Sequence, residues 1–261
     1  MFQRYGEVLA VQGLSVQGLS FAYGRKATPI FDNFDLQITT GKTVLLGQNG
    51  AGKSTLLNLF GDVFRADKGT ISLDGVAKTR STQRAYRSAI SLLPQSIPVI
   101  DGFTVEESVR YAAWLKGCTD TQAGLRAPEV LELVGLLPKL GRKASSLSGG
   151  ELRRLGIAQA LAHNARVVLL DEPSAGLDPI QQGDLRALLA QLDPEITLVV
   201  STHQTQDISS IYDQVLVLDA GRILWQGSVQ DFTASVPDHL PQYLHAEWAF
   251  EALIKGNKDA P

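Results

Sequence analysis

Apolar and polar positions largely alternate in the first third of the chain, as in strands that bury one face. Residues 31–38 alternate in this way, and residues 70–75 form a shorter run that ends in a turn dipeptide. The pentapeptide Val-Gln-Gly-Leu-Ser occurs at residues 11–15 and again at 16–20. Because side chains alternate with period two, an odd-length repeat places its copies on opposite faces. We therefore expect the second copy to be the productive strand, running into residues 21–23, within a small antiparallel β layer.

The pattern becomes helical after Pro94. Residues 104–107 form a capping-box signature that opens a helix with apolar positions at three- and four-residue spacing. Residues 129–134 indicate a second helix. A helical insertion is predicted over about residues 96–164.

Strands and helices alternate from residue 167 onward, which predicts parallel pairing in a doubly wound core. The expected strands are residues 167–170 and 196–201, followed by helices at 179–192 and near 204–211. An edge hairpin follows at residues 215–226, and a short appendix is helical around residues 247–254.

The chain is thus predicted to be one α/β domain over residues 1–261, with a mainly parallel sheet, an N-terminal antiparallel β layer and an inserted α-helical subdomain. The expected parts are the β layer with its following loop at about 8–95, the helical subdomain at about 96–164, the α/β core at about 165–235 and the appendix at about 236–261.

Charge and composition narrow the possible functions. A formal net charge of −3 gives no bulk attraction to nucleic acid, and Arg80, Arg84 and Arg87 are expected to form a solvated helix face. No apolar run is long enough for a signal peptide or a membrane span, so any membrane role is expected to come through a partner. The single cysteine, Cys118, cannot form an internal disulfide and fits a reducing cytosol.

A glycine-rich loop follows the apolar run at residues 44–46. Residues 47–54 read Gly-Gln-Asn-Gly-Ala-Gly-Lys-Ser, the Walker A pattern of a P-loop NTPase. Backbone N–H groups of such a loop surround a di- or triphosphate, the lysine reaches the β and γ phosphates, and the serine hydroxyl ligates Mg²⁺. The residues predicted to bind nucleotide here are Gly47, Asn49, Gly50, Ala51, Gly52, Lys53, Ser54 and Thr55.

Two carboxylates end the apolar strand at residues 167–170. In a parallel sheet they would lie at the edge where the nucleotide binds. Asp171 is predicted to hold Mg²⁺, and Glu172 to orient or deprotonate the attacking water.

A second anion-binding helix start is predicted at residues 147–151, Leu-Ser-Gly-Gly-Glu, where Ser148 can act as an N-cap. At this point the chain resembles the ATP-binding cassette (ABC) family, whose signature is Leu-Ser-Gly-Gly followed by a polar residue. The resemblance covers about residues 16–229, and the motifs fall in the family's order.

The resemblance implies roles for further residues. Tyr23 matches the aromatic residue that stacks on adenine, and Gln95 matches the glutamine that meets Mg²⁺ and the water. His203 matches the histidine that contacts the γ phosphate. Residues 174–178, ending in Asp178, match the loop that crosses the dimer interface.

The resemblance further implies that two chains enclose two ATP molecules with Mg²⁺. Each ATP would lie between the Lys53 loop of one chain and Ser148, Gly149 and Gly150 of a second copy or a homologous subunit. Hydrolysis would then release the dimer.

The function expected from this resemblance is the ATPase subunit of a transporter at the cytoplasmic face of the cell membrane, bound to a separate integral membrane permease. Residues 96–109 supply apolar surface for docking through Ile97, Val99, Ile100 and Phe103, although these four side chains could equally pack inside the helical insertion. Export is expected, because residues 103–117 and 155–161 resemble the ATPases of bacterial two-component drug and antibiotic exporters. The alternatives are an importer ATPase or a soluble ABC ATPase such as one for iron–sulfur cluster assembly. A P-loop kinase or GTPase would not need Ser148 or His203.

Overall fold

The computed structural model describes residues 13–24, 27–205, 208–237 and 239–258. The strands are β1 (Gly13–Phe21), β2 (Phe31–Thr39), β3 (Gly41–Leu46), β4 (Lys68–Leu73), β5 (Val76–Ala77), β6 (Ile90–Leu93), β7 (Val167–Asp171), β8 (Thr197–Thr202), β9 (Gln214–Asp219) and β10 (Arg222–Ser228). The helices are α1 (Lys53–Phe60), α2 (Gln83–Ala89), α3 (Val105–Leu115), α4 (Asp120–Leu133), α5 (Gly149–Leu161), α6 (Pro179–Gln191), α7 (Ile208–Ile211), α8 (Val229–Thr233) and α9 (His245–Lys258).

The strands form two sheets. An antiparallel sheet has the order β2-β1-β4-β5, and a second sheet has the order β10-β9-β3-β8-β7-β6. Among the described strands of the second sheet, β9 and β10 pair antiparallel and the other neighbours pair parallel. The predicted α/β class, with a mainly parallel sheet and an antiparallel β layer, is confirmed.

The parallel sheet is buried on both faces, which explains why its central strands are continuous apolar runs. In β7, Val167 and Leu169 pack with α1 and the antiparallel sheet. Val168 and Leu170 point to the opposite face and pack with the helices inserted between β6 and β7. A third cluster joins β3 and β9 to the C-terminal helices α8 and α9.

The expectation that only one copy of the pentapeptide repeat forms a productive strand is wrong. Both Leu14 and Leu19, which are equivalent positions of the two copies, are fully buried in β1. A β-bulge between Val16 and Leu19 adds one residue on the β1 side. The five positions from Leu14 to Leu19 therefore match four positions of β2, and Leu19 returns to the same face of the sheet as Leu14. Gly18 lies in the bulge at a φ of 59°, and its N–H donates to Asp35 Oδ1. Residues 11 and 12 lie outside the described residues.

The helical insertion contains α3, α4 and α5. The capping box predicted at Thr104 and Glu107 is present. The second helix begins at Asp120 rather than near residue 129, because a second capping box formed by Thr119 and Gln122 starts it earlier. Pro128 lies inside this helix without ending it.

The remaining predicted elements lie within a few residues of their expected positions. An additional helix, α2, carries the exposed residues Arg84 and Arg87, and Arg87 Nε donates to Asp62 at 2.6 Å. The expected helix near 204–211 is seen as α7, with residues 206 and 207 outside the described residues. The four-part division of the chain stays a prediction, and the described elements follow its order. Among the described residues, no helix has the length and apolar character needed to cross a membrane.

Candidate active site

The glycine-rich loop joins β3 to the start of α1. Gly52 precedes the helix with a φ of 105°, a left-handed conformation that a glycine adopts without strain. Within the described part of the chain, no side chain caps α1, so its first N–H groups remain available to an anion. A Cβ at Gly47 would lie 2.4 Å from Leu218 O, so the loop can pack on β9 only with glycine at that position.

Lys53 lies in the first turn of α1, and its side chain reaches back across the glycine-rich loop. Its Nζ donates to Gly47 O at 2.7 Å and to Gln48 O at 3.3 Å, and it lies 3.8 Å from Glu172 Oε1. Burial lowers the pKa of Lys53, and the Glu172 and Asp171 carboxylates oppose that shift. An ammonium has three N–H donors, so Lys53 keeps one donor for a phosphate bound in the loop.

Asp171 and Glu172 occupy different environments at the end of β7. Asp171 is buried, and its Oδ1 accepts a hydrogen bond from Ser201 Oγ at 2.6 Å. Glu172 has a φ of 49°, a conformation that costs a non-glycine residue about 1–3 kcal/mol. Its N–H donates to Ser201 O at 3.1 Å and to Ser201 Oγ at 3.0 Å. The turn therefore separates the two carboxylates, with Asp171 held inside the sheet and Glu172 directed into the site.

His203 follows β8 and meets the Glu172 carboxylate. Its Nδ1 lies 3.1 Å from both carboxylate oxygens. Such a carboxylate and imidazole pair can hold a water or a phosphate oxygen and accept a proton from it. The structure thus brings together two residues that were predicted separately.

A cavity of about 580 Å³ contains most of the predicted site. Its lining includes Tyr23, Asn49, Gly50, Ala51, Gly52, Lys53, Ser54, Thr55, Gln95, Glu172 and His203. The Tyr23 ring packs edge-on against Phe21 and Phe64, and its hydroxyl lies 2.8 Å from Thr55 Oγ1. The side chain is still 63% exposed, which leaves ring surface that a base can contact. Gly47 and Asp171 are not part of this lining. Gly47 accepts a hydrogen bond from Lys53, and Asp171 bonds to Ser201, which also bonds to Glu172.

The signature residues are outside this cavity. Ser148, Gly149 and Gly150 are absent from its lining, and Ser148 instead caps α5 through the predicted N-cap. The pKa of Glu151 is lowered to about 2 by hydrogen bonds from Lys139 Nζ and the Ser148 N–H. Asp178 is also outside, and its Oδ1 caps α6 by accepting from the Gln181 N–H at 2.9 Å. Within one chain, the site is therefore built without the signature.

Two residues of the site were missed by sequence reasoning. Ser201 holds both Asp171 and Glu172, and the parallel register that pairs Asp171 with Ser201 could not be known beforehand. Arg153 is buried in α5 and donates to backbone carbonyls around the cavity. A signal existed for Arg153, because it shares a helix face with Gly156, Ile157 and Ala160, where an apolar residue is expected.

The residues present fit a magnesium-bound nucleoside triphosphate. The uncapped start of α1 and Lys53 provide positive charge for phosphates, and Ser54, Gln95 and Asp171 provide oxygen ligands of the kind Mg²⁺ prefers. When bound, Mg²⁺ would neutralise charge that develops on the phosphates. No three His, Cys, Asp or Glu side chains cluster as a metal site in the described ranges.

Comparison with known proteins agrees with this geometry. The family described as ABC transporter matches residues 31–175. The methionine import ATP-binding protein MetN of Carboxydothermus hydrogenoformans is 36% identical over 83% of this chain and 66% of its own length. MetN of Corynebacterium jeikeium is 38% identical over 81% of this chain and 59% of its own length. The chain thus spans less than two thirds of the length of these two relatives.

A solved structure shares the fold. The dimeric post-hydrolysis state of an ATP-binding cassette, bound to ADP and Pi, superposes with a TM-score of 0.74 at 24% identity. The match covers 83% of this chain and 98% of that one. The names of the relatives lend no support to the expected export direction and agree better with the importer alternative.

Proposed function

The chain belongs to the ABC transporter family, and from that premise we propose that it is the ATP-hydrolysing subunit of an importer. In this proposal it binds Mg²⁺-ATP and works through a separate integral membrane permease. That contact holds the chain at the cytoplasmic face of the membrane. The import direction is taken from the names of the MetN relatives, and methionine is the first cargo to test.

One observation carries the proposal. The phosphate loop, Gln95, Glu172 and His203 line one cavity, whereas the start of α5 at Ser148 does not. A helix N-terminus with two glycines is suited to phosphate, but in a single chain it has no nucleotide to bind. A second copy, or a homologous subunit, would supply Ser148, Gly149 and Gly150 to the ATP held by this chain.

The site residues then have defined roles. Lys53 and the loop amides bind the phosphates, Ser54, Asp171 and Gln95 hold Mg²⁺, and Glu172 with His203 orients the attacking water. ATP stabilises the closed dimer, and hydrolysis favours the open one, because the γ phosphate no longer bridges the two chains.

An exposed apolar surface supports docking to the permease. Val99 and Ile100 are exposed, while Ile97 packs into the core and Phe103 packs on Tyr111 with ring centroids 5.6 Å apart. Ile97 and Phe103 therefore pack within the described structure, whereas Val99 and Ile100 remain available for the proposed docking. We define the docking surface as Val99, Ile100, Tyr111, Trp114 and Leu115, all of which are exposed.

The Glu172→Gln variant tests the proposal. We expect it to bind ATP but not hydrolyse it, so that saturating Mg²⁺-ATP traps a dimer on a sizing column. Lys53→Ala is the control, and we expect it to remain monomeric because it loses the phosphate-binding ammonium. A Glu172→Gln chain that stays monomeric with bound ATP would contradict the shared site.

The direction of transport needs a separate measurement. In cells that carry the permease, Glu172→Gln should abolish ATP-driven accumulation of labelled methionine. Retention of more label by the variant than by the wild type would instead indicate export.

A further inference from the structure

Arg153 has an unusual environment for a charged side chain. It is only 4% exposed, and its hydrogen-bond acceptors are backbone carbonyls. Nε donates to Pro173 O at 3.1 Å, and Nη1 donates to Pro94 O and Gln95 O, both at 3.0 Å. Nη2 donates to Asp171 O and Glu172 O. The five N–H donors of a guanidinium are therefore all used.

These carbonyls belong to the two segments that carry the chemistry. Pro94 and Gln95 follow β6, and Gln95 lines the cavity. Asp171, Glu172 and Pro173 lie at and just beyond the end of β7. One guanidinium thus fixes the position of Gln95 relative to Glu172.

The backbone of Glu172 is held from two sides. Ser201 accepts its N–H, and Arg153 donates to its carbonyl. The positive φ of Glu172 requires such support, because a strained backbone persists only when its surroundings fix it. A lysine could not replace the guanidinium here, since its three donors lack the fork that reaches five carbonyls.

Arg153 is also a residue of the signature helix. It lies five positions after Ser148, which corresponds to about 8 Å along the helix axis. Ser148 is proposed to contact the ATP held by the partner, whereas Glu172 serves the ATP held by its own chain. The first turns of α5 therefore connect Ser148, proposed to contact the ATP of the partner, with Arg153, which contacts the segments at the ATP site of its own chain.

We infer that Arg153 is a positioning residue that couples the two ATP sites of the dimer. When the start of α5 engages one nucleotide, Arg153 carries the displacement of the helix to the carbonyls that place Gln95 and Glu172 at the other. This inference rests on the proposed function, because it needs a dimer in which each site borrows the signature of the other chain.

The first test compares Arg153→Lys with Arg154→Lys. Arg154 is the next residue of α5, and its Nη1 donates to Val134 O, away from the cavity. We expect Arg153→Lys to lower kcat about 10- to 100-fold, as small misplacements of catalytic groups do, with nucleotide affinity changed less than about twofold. The Hill coefficient for ATP should fall toward one. Arg154→Lys should leave kcat and the Hill coefficient within about twofold of wild type.

The second test keeps Arg153 intact and so does not depend on the folding of a variant at that position. In a mixed dimer, Ser148→Ala in one chain directly impairs only the site that it completes on the partner. Independent sites would retain about half of the wild-type turnover, whereas coupling through Arg153 predicts clearly less than half. Introducing Arg153→Lys into the Ser148→Ala chain should then lower turnover by a smaller factor than Arg153→Lys does in the wild type, because both changes disturb the same site.

The outcomes separate the two proposals. A wild-type chain that neither dimerises nor hydrolyses ATP overturns the proposed function, and this inference with it. A cooperative wild type whose Hill coefficient is unchanged by Arg153→Lys overturns the coupling alone. Half-activity in the mixed dimer does the same.

Discussion

Three ionisable side chains that are far apart in the sequence meet at the phosphate loop. Lys53 lies 3.8 Å from Glu172, and His203 lies 3.1 Å from the same carboxylate. A buried ammonium requires polar partners, and the Gly47 and Gln48 carbonyls supply them alongside Glu172. Lys53 is therefore held in place before a phosphate arrives, which lowers the entropic cost of binding.

A buried histidine outside the site links stability to pH. His163 is 6% exposed, and burial, with a smaller effect of Lys116, lowers its pKa to about 4. In the unfolded chain its pKa is about 6.5. Between these values the unfolded chain binds a proton that the folded chain does not, so the free energy of unfolding falls as pH falls. From pH values well above 6.5 to values well below 4, this effect lowers the free energy of unfolding by roughly 3 kcal/mol.

His163→Leu should remove this dependence. We expect the free energy of unfolding of wild type to fall between pH 7 and pH 5 by about 2 kcal/mol more than that of the variant. Denaturant titrations at the two pH values measure the difference. Equal pH slopes for the two proteins would show that His163 takes up its proton in the folded state as readily as in the unfolded state.

At the scale of single elements, the bulge in β1 decides which side chains enter the core. The extra residue near Gly18 restores the phase of the strand, so that Leu14, Val16, Leu19 and Phe21 are all buried. Without it, the side chains after the bulge would exchange faces, and Leu19 would point to solvent. Gly69 lies beside the bulge, and a Cβ there would be 2.5 Å from Gly18 O.

Gly18→Val tests the bulge. A β-branched residue is strained at a φ of 59°, so we expect a loss of about 1–3 kcal/mol in the free energy of unfolding. Gly18→Asn should cost less, because asparagine tolerates the left-handed region. Gly141→Val is the control, since a Cβ at Gly141 would meet no atom within 4 Å and we expect a change within about 0.5 kcal/mol. If urea titrations give a similar loss in the free energy of unfolding for both valine variants, the positive φ of Gly18 in the bulge is not the cause of the destabilisation.

At the scale of the whole molecule, the site forms where four parallel strands end. The loop after β3, Gln95 after β6, Asp171 and Glu172 at the end of β7, and His203 after β8 all lie at the same edge of the sheet. This is the edge at which α/β sheets bind ligands. The helical insertion adds the signature helix and the exposed docking surface on one side of it.

Trp114→Glu tests that surface. Trp114 is 59% exposed and stacks on Tyr111 with ring centroids 5.9 Å apart, and an aromatic anchor of this kind can contribute about 2 kcal/mol to binding. In cells that carry the permease, we expect the variant to leave the membrane fraction, with affinity reduced roughly 30-fold. ATP-dependent dimerisation should be unchanged.

Leu125→Glu is the matched control for this experiment. Leu125 is 70% exposed on α4 and lies outside the docking surface, so its variant should remain in the membrane fraction. If both variants leave the membrane to the same extent, the effect belongs to added charge and not to the surface defined here.

The sequence alone determined the features that depend on neighbours along the chain. The phosphate loop, the capping box at Thr104, the N-cap at Ser148 and the buried strand ending in Asp171 follow from spacing and local propensity, and all are present. Tertiary structure decided the rest. It shifted the register of β1, turned Ile97 inward and Ile100 outward, and left the signature outside the cavity. It also placed Arg153 among carbonyls of residues 94–95 and 171–173. Such contacts join residues far apart in the chain, and they depend on strand register and helix packing, which no local pattern encodes.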